Sequence, residues 1–412
     1  MKSEKVSFSL ALNLGFAYTM YVIGKVSFGA AKAGLIEAGV LTKTETGSIN
    51  GIFWLVYAAG QIVGLFVVNK ISPYLLIKIA LIGSAASNIA MACTENFTVM
   101  LIAWCLGGAF QFGLWPALLK LTAEDVGEPY RERLTKYLAY AYSIATVISY
   151  FLCAWMLSVL SWRYIFIISG IVCGVALPGI VYVQRKVASI LQRPIGLQTV
   201  SKQKKEKLTG KIAWDRALVF FALLMCLQSV VTNGVSGWAS TILLELYSIP
   251  ANTSSLLGIV QTCVSFLGIA IGIFVYDRMK NDELRSLLVV YLPLILIMVL
   301  LNNIANYNVY ITTTLLYSSS VFLSAAGARL SLNYPARYRD IGHTATVGAV
   351  INCMSTGGMA IANYGGGYIA DHFGWKAVIH MWNIMVILFV MVVICIFPLW
   401  ARFKQSWGLK RY

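Results

Sequence analysis

Two stretches decide the fold: residues 60–70, GQIVGLFVVNK, and residues 268–278, GIAIGIFVYDR. A shift of 208 residues lays Gly60 on Gly268, Gly64 on Gly272 and the pair Asn69-Lys70 on Asp277-Arg278, and the same shift lays Glu37 on Glu245. Four landmarks at one offset, without a gap, mark an internal repeat. A shift of 213 then places Trp162-Arg163 on Trp375-Lys376, each pair just before the last apolar run of its half. The glycines, four apart, leave room for close approach of two helices, and the polar pair closes the run as a turn.

Working outward, runs of about 20 apolar residues, the length that crosses a bilayer core, recur through the chain. They fall at 6–34, 47–68, 75–94, 97–120, 137–159, 162–184, 216–246, 254–276, 285–302, 308–331, 343–370 and 375–400. The composition agrees: 59% of the 412 residues are apolar and 12% charged, against about 45–50% and 25% in soluble domains. An even number of spans puts both termini on one side. That side collects 27 of the 32 Lys and Arg residues and the other side 5. The bias predicts cytoplasmic termini and a multi-pass protein of the cytoplasmic membrane. It also accounts for the net charge of +16 by topology, so no nucleic-acid partner is expected. The expected organisation is a six-helix bundle over 1–184, a basic cytoplasmic linker over 185–215, a second six-helix bundle over 216–400 and a cytoplasmic tail over 401–412.

The eight cysteines lie in apolar runs without a CxxC pair, and His343, His372 and His380 form no ligand motif, so neither metal nor other cofactor is expected. No motif brings together a nucleophile, a base and an orienting group. An enzyme is not expected.

Two parallel six-helix repeats joined by a cytoplasmic linker make an all-α polytopic membrane protein of twelve transmembrane helices, the architecture of the major facilitator fold, in which substrate binds near the midplane and rocking alternates access. The segment Gly272 to Lys280 resembles the loop signature of that superfamily. Its Asp277 and Arg278, and Asn69 and Lys70 in the first half, are the candidate gating residues: a charge at a helix end can hold neighbouring groups in one conformation and release them in another. Within the superfamily, Lys25-Val26-Ser27-Phe28, Glu37-Ala38-Gly39, Tyr57 to Pro73, Gln111 to Pro116, Trp238 and Tyr368 to Trp375 resemble the organophosphate:phosphate antiporters, which include glycerol-3-phosphate and hexose-phosphate permeases. The resemblance implies an anion site built by two arginines in spans one and seven, a lysine in span two and a histidine in span five. The matching positions here are Lys25, Thr232 and Gln61, while span five around Tyr142 to Thr146 has no histidine. Lys25 alone keeps a charge, without the bidentate fork of arginine.

Lys25 is therefore the leading substrate-binding candidate, because a lysine at a span centre turns to the bundle interior or to a water-filled cavity. Lys32, seven residues on, is expected at the interface. Tyr21, Gln61, Gln111, Tyr142, Thr232, Asn233 and Asn352 are the other candidate contacts, within a wider polar set of Asn13, Tyr18, Gln228, Tyr317 and Asn363. Mid-span carboxylates, the usual proton relays, are nearly absent. The expected function is a monomeric secondary transporter, surrounded by lipid, that moves a small organic anion. The alternatives are a carrier for a neutral or zwitterionic solute and, from another class, a membrane sensor that binds a solute. A topology reporter fused after Tyr412 or inserted near Lys204 is expected to report cytoplasm, and a signal from the opposite side from either would break the twelve-span reading.

Overall fold

The computed structural model describes residues 2–67, 70–127, 130–191, 216–280, 282–304, 308–338 and 344–406. Asn69, most of the expected linker (192–215) and the end of the tail (407–412) lie outside the described residues. Regular structure among the described residues is helical throughout. The helices are α1 (Lys2–Glu37), α2 (Lys43–Val67), α3 (Pro73–Ala92), α4 (Phe97–Gln111), α5 (Leu114–Glu124), α6 (Tyr130–Val159), α7 (Trp162–Leu191), α8 (Arg216–Tyr247), α9 (Ala251–Arg278), α10 (Glu283–Ile304), α11 (Val309–Ala328), α12 (Tyr334–Ala336) and α13 (Thr344–Ser406). A π-helical turn, Arg329–Asn333, joins α11 to α12.

Among the described residues, ten stretches are long and apolar enough to cross a membrane, and the last, Val347–Trp400, covers two of the expected spans. It turns at Gly374, whose φ of 78° is open to glycine and strained for other residues. One residue thus replaces the short loop expected between 370 and 375. The span expected over 97–120 is broken instead between α4 and α5, at Phe112 and Gly113. Gly113 lowers helix propensity there, and Pro116, lacking an N–H, cannot bond back across the break. α2, with Lys43, Glu45 and several hydroxyl residues in its first turns, is not among the ten. Elsewhere side chains fix the helix starts. Asn96 accepts from Val99 N (3.2 Å) and Asn308 from Tyr310 N and Ile311 N (2.9 and 3.2 Å), while Pro73 opens α3.

The described residues fall into two compact units. One draws on Met1–Leu41, Ala59–Gln203 and Ala251–Ile259, the other on Thr42–Ala58, Lys204–Pro250 and Val260–Tyr412. The sequence halves thus trade segments: the start of α2 belongs with the second half, and the start of α9 with the first.

In the first unit, α1 packs on α6 and α7, and α3 on α4 and α7. Its core holds Leu10, Leu14, Tyr18, Tyr21, Ile77, Leu81, Leu118, Ala141 and Ile180. Gly24 seats α1. A Cβ there would collide with Cys173 Sγ and lie 2.8 Å from Ser84 Oγ. In the second unit α8 packs on α13 and α11, and α10 on α11 and α13. Stacked rings fill it: Phe221 on Tyr334 (3.9 Å between centroids) and Tyr291 on Phe389 (3.8 Å).

Three of the glycines read as close-approach positions, Gly60 in the first unit and Gly268 and Gly272 in the second, do that work. A Cβ on Gly60 would lie 2.6 Å from Phe112 Cβ, one on Gly272 would lie 2.9 Å from Ala325 O, and one on Gly268 would collide with Val321 O. Lipid offers no hydrophobic drive for helix association, so this backbone proximity is a main source of cohesion. Gly268→Ala is expected to lower stability by about 1–3 kcal/mol, because a carbonyl cannot move aside as a flexible side chain can. Gly174→Ala, which meets nothing within 4 Å, is expected to be neutral or to raise the melting temperature. Equal melting temperatures for the two variants would contradict the packing assignment.

Candidate functional site

In the first unit the candidate centre is built on α1. The Gly24 carbonyl accepts from Asn88 Nδ2 (3.0 Å) and from Ser27 Oγ (3.0 Å), and Ser27 Oγ also reaches Asn88 Oδ1 (2.8 Å). These bonds fix the rotation of α1 about its axis, and Lys25 lies 100° further round. Lys25 is 8% exposed, with Nζ 5.7 Å from the centroid of the Tyr21 ring, within cation–π range. Tyr18 continues the row, 6.2 Å from Tyr21 and 5.3 Å from Trp115 of α5. The structure therefore brings together Lys25, Tyr21, Tyr18 and Trp115, the last absent from the expected contacts.

Lys32 departs from its interfacial expectation: it is 1% exposed, among the largest fully buried side chains. Between Ser7 and Ile36, α1 carries these two lysines and no Asp or Glu. Gln111 is buried against α3, where Nε2 donates to Ser84 Oγ (3.1 Å), while Oε1 is buried without a partner among the described residues. That placement joins Gln111 to the cluster of Ser84, Asn88 and Cys173 under Gly24. Gln61 is half-buried, and Tyr142 is exposed.

In the second unit, Thr232 and Asn233 of α8 are half-buried and largely engaged with their own helix. Thr232 Oγ1 donates to Gln228 O (2.8 Å) and accepts from Gln228 Nε2 (2.9 Å), and Asn233 Nδ2 donates to Ser229 O (3.0 Å). Gln228 is the junction: Nε2 also donates to Leu323 O (2.6 Å), and Tyr291 donates its hydroxyl to Oε1. Asn352 is exposed on α13. Asn363 is tied to Asn50, whose Nδ2 donates to its Oδ1 at 2.9 Å.

The gating candidates Asp277 and Arg278 are exposed at the end of α9, and Lys70 is exposed in the turn after α2. Beside Asp277 lies a cluster that the sequence reading missed. Glu283, 1% exposed, accepts from Arg337 Nε and from the Tyr276 hydroxyl (3.1 Å), and Arg337 Nη2 donates to that hydroxyl (3.2 Å). The buried Arg329 guanidinium, in the π turn, lies 5.1 Å from the Tyr276 ring centroid. Burial alone would depress the Arg337 guanidinium, but the Glu283 charge and hydrogen bond and the Tyr276 hydroxyl more than offset it, leaving its pKa raised. The available signal was a carboxylate opening an apolar span with arginines closing the next one. Nothing in the sequence paired Glu283 with Arg337.

A second ionic cluster joins α2, α8 and α13. Lys43 Nζ lies 2.9 Å from Glu245 Oε2 and 3.4 Å from Asp371 Oδ1. Among the described residues no group of His, Cys, Asp and Glu could hold a metal ion.

The profile of the Major Facilitator Superfamily matches residues 8–339. Among curated proteins, the membrane sensor protein UhpC of Salmonella typhimurium is 22% identical over 102 residues, 25% of this chain and 23% of that protein. The chain thus matches about a quarter of the length of that relative. Among solved structures, a bacterial homologue of the human lysosomal transporter Spinster, inward-facing and occupied, superposes with a TM-score of 0.73 at 12% identity, covering 93% of this chain and 95% of its own. A point mutant of the nucleoside transporter NupG gives 0.72 at 12% identity over 94% and 100%. A D-xylose–proton symporter gives 0.64 at 14% over 95% and 96%.

Removing one partner of a buried ion pair strands the other charge. Arg337→Gln is therefore expected to destabilise the protein by about 3–5 kcal/mol. The double variant Arg337→Gln/Glu283→Gln is expected to recover most of that loss. A double variant as unstable as the single one in a thermal melt would show that the pair is not the reason for the arginine.

Proposed function

The chain belongs to the major facilitator superfamily, a multi-pass membrane transporter rather than an enzyme by family and fold, and on that footing we propose that it moves a small organic anion by alternating access, with Lys25 as the charge partner of the solute. One observation carries the reading: between Ser7 and Ile36, α1 holds two buried lysines and no carboxylate. Lys25 lies twelve residues before Glu37, about 18 Å along the helix at 1.5 Å per residue, which is near the middle of a hydrocarbon core of about 30 Å. A cation at that depth is costly unless it meets an anion, water or a ring face. Tyr21 supplies the ring, and an anionic solute is proposed as a further partner.

Tyr21, Gln61, Gln111 and Tyr142 of the first unit, and Thr232, Asn233 and Asn352 of the second, are each proposed as hydrogen-bonding contacts to the solute. Tyr142 and Asn352 are the exposed members, whereas Gln111, Thr232 and Asn233 also hold neighbouring groups of their own unit and so would act partly by shape. Thr232 and Gln61 stand where the phosphate antiporters place cations, so a monoanion such as a carboxylate suits the site better than a phosphate dianion. The excess of basic residues on one side supports cytoplasmic termini and a place in the cytoplasmic membrane, and a monomer among lipids is the proposed working form. Asp277, Arg278, Asn69 and Lys70 are proposed to steady the cytoplasmic helix ends during the cycle.

A second reading, a solute sensor without transport, is favoured by the short match to UhpC, a membrane sensor protein by name. Counterflow in proteoliposomes separates the two. Exchange of a bound anion supports the carrier, and binding without exchange supports the sensor.

Replacing Lys25 with Gln leaves the anion without its cation, a loss expected at about 2–5 kcal/mol for a buried charge pair. Affinity should then fall by roughly thirtyfold or more at 1.4 kcal/mol per factor of ten. Lys25→Arg, which keeps the charge and adds a fork, should bind more tightly than Lys25→Gln. An unchanged dissociation constant in folded Lys25→Gln protein would remove Lys25 from the site and favour a neutral or zwitterionic solute.

A further inference from the structure

Lys25 and Lys32 share one face of α1, with Gly29 between them. At about 100° per residue, Lys32 falls about 20° and Gly29 about 40° from Lys25 around the helix. The row continues from Lys25 through the rings of Tyr21 and Tyr18. Other directions around α1 are taken by neighbouring helices. A Cβ on Gly24 would meet Cys173 of α7 and Ser84 of α3, and one on Gly34 would lie 2.7 Å from Leu157 of α6. Phe28 packs on Trp104 of α4 and Phe166 of α7, with 5.4 and 6.2 Å between ring centroids. Gly29 differs from these positions. It is half-buried, yet a Cβ built on it meets nothing within 4 Å. Open space therefore lies between two buried lysines.

Seven residues are two helical turns, about 10.5 Å along the axis. Two like charges fixed at that spacing repel, and burial removes the water that would weaken the repulsion. A solute with two separated negative charges meets both lysines at once. Lysine side chains of equal length that leave one helix face in parallel keep about the spacing of their Cα atoms. Two charged contacts of about 2.8 Å then leave about 5 Å between the facing carboxylate oxygens.

We propose that the solute is a dicarboxylate of about four or five carbons, with one carboxylate at Lys25, the other at Lys32 and the carbon chain lying across Gly29. The proposal rests on the reading of Lys25 as the charge partner of the solute, and it adds the second charge. Gly29 supplies room for the methylene groups because it carries no side chain. A phosphate ester places both of its charges on one group and spans one lysine. A dicarboxylate presents a singly charged group to each, so it joins the two cations of the row where a monoanion joins one.

The test uses the full chain purified in detergent. Dissociation constants are fitted from the concentration dependence of its melting temperature with succinate, glutarate, the monoamide and diamide of each, malonate, and butyrate paired with butyramide. Succinate or glutarate is expected to bind about tenfold to thirtyfold more tightly than its monoamide, and more tightly than malonate, which is too short for the gap. In Lys32→Gln the ratio between diacid and monoamide is expected to fall to about one. Gly29→Leu, which fills the open space, is expected to weaken the diacid by about tenfold, and it decides the matter if Lys32→Gln does not fold. Absence of binding by both diacids, a monoamide that binds as tightly as its diacid, or a diacid preference that persists in Lys32→Gln would each overturn the proposal. Butyrate separates that failure from failure of the anion reading. Butyrate tighter than butyramide keeps a monoanion carrier with Lys25 at its centre, and equal binding of the acid and amide in every pair overturns both.

Discussion

The seating of α1 on α3 and α7 through Gly24 is the contact on which the charge placement of the first unit depends. Absence of a Cβ lets the backbone approach Cys173 and Ser84, and the Gly24 carbonyl is then held by Asn88 and Ser27. A helix pinned in rotation has no freedom to turn its lysines toward lipid. Lys25 and Lys32 are buried because the backbone beside them is fixed, and the electrostatics of α1 follow from that steric fact.

The same principle orders the second unit with different chemistry. Close backbone approach at Gly268 and Gly272 sets α9 against α11, and the ionic groups sit at helix ends. Lys43, Glu245 and Asp371 hold one such set, and Glu283, Arg337 and Tyr276 hold another. Helix interiors carry amide and hydroxyl bonds, as at Gln228, Tyr291 and Thr232. Small residues decide how near the helices come, and the scarce charges decide which of their ends hold together.

Much of the fold was legible because it is written in periods and lengths. The apolar runs, the offset of 208 and the four-residue spacing of the glycines all survive translation into one dimension, and the structure pairs Glu37 with Ala251 and Glu245 with Lys43, positions that the same offset relates. What was not legible concerns pairs far apart in sequence and the fate of single polar side chains. Glu283 and Arg337 pair across 54 residues, with a π turn at Arg329–Asn333 in the chain between them. Lys32 was expected at the interface from its distance to the end of α1, since depth can be counted along a helix but shielding by neighbours cannot. Gln111, in a motif that resembles the antiporters, proves to be tied to Ser84 and the cluster beneath Gly24, a partner that no spacing rule reaches.

Whether an anion meets the buried cation of α1 is tested most directly by ligand-dependent melting of the wild-type protein, because a solute that binds the folded state raises its melting temperature by mass action. Matched pairs of solutes that differ only in carrying a carboxylate or its neutral amide isolate the charge. With Lys25 as the charge partner, a carboxylate raises the melting temperature where its amide does not. Equal stabilisation by both members of every stabilising pair would contradict that role.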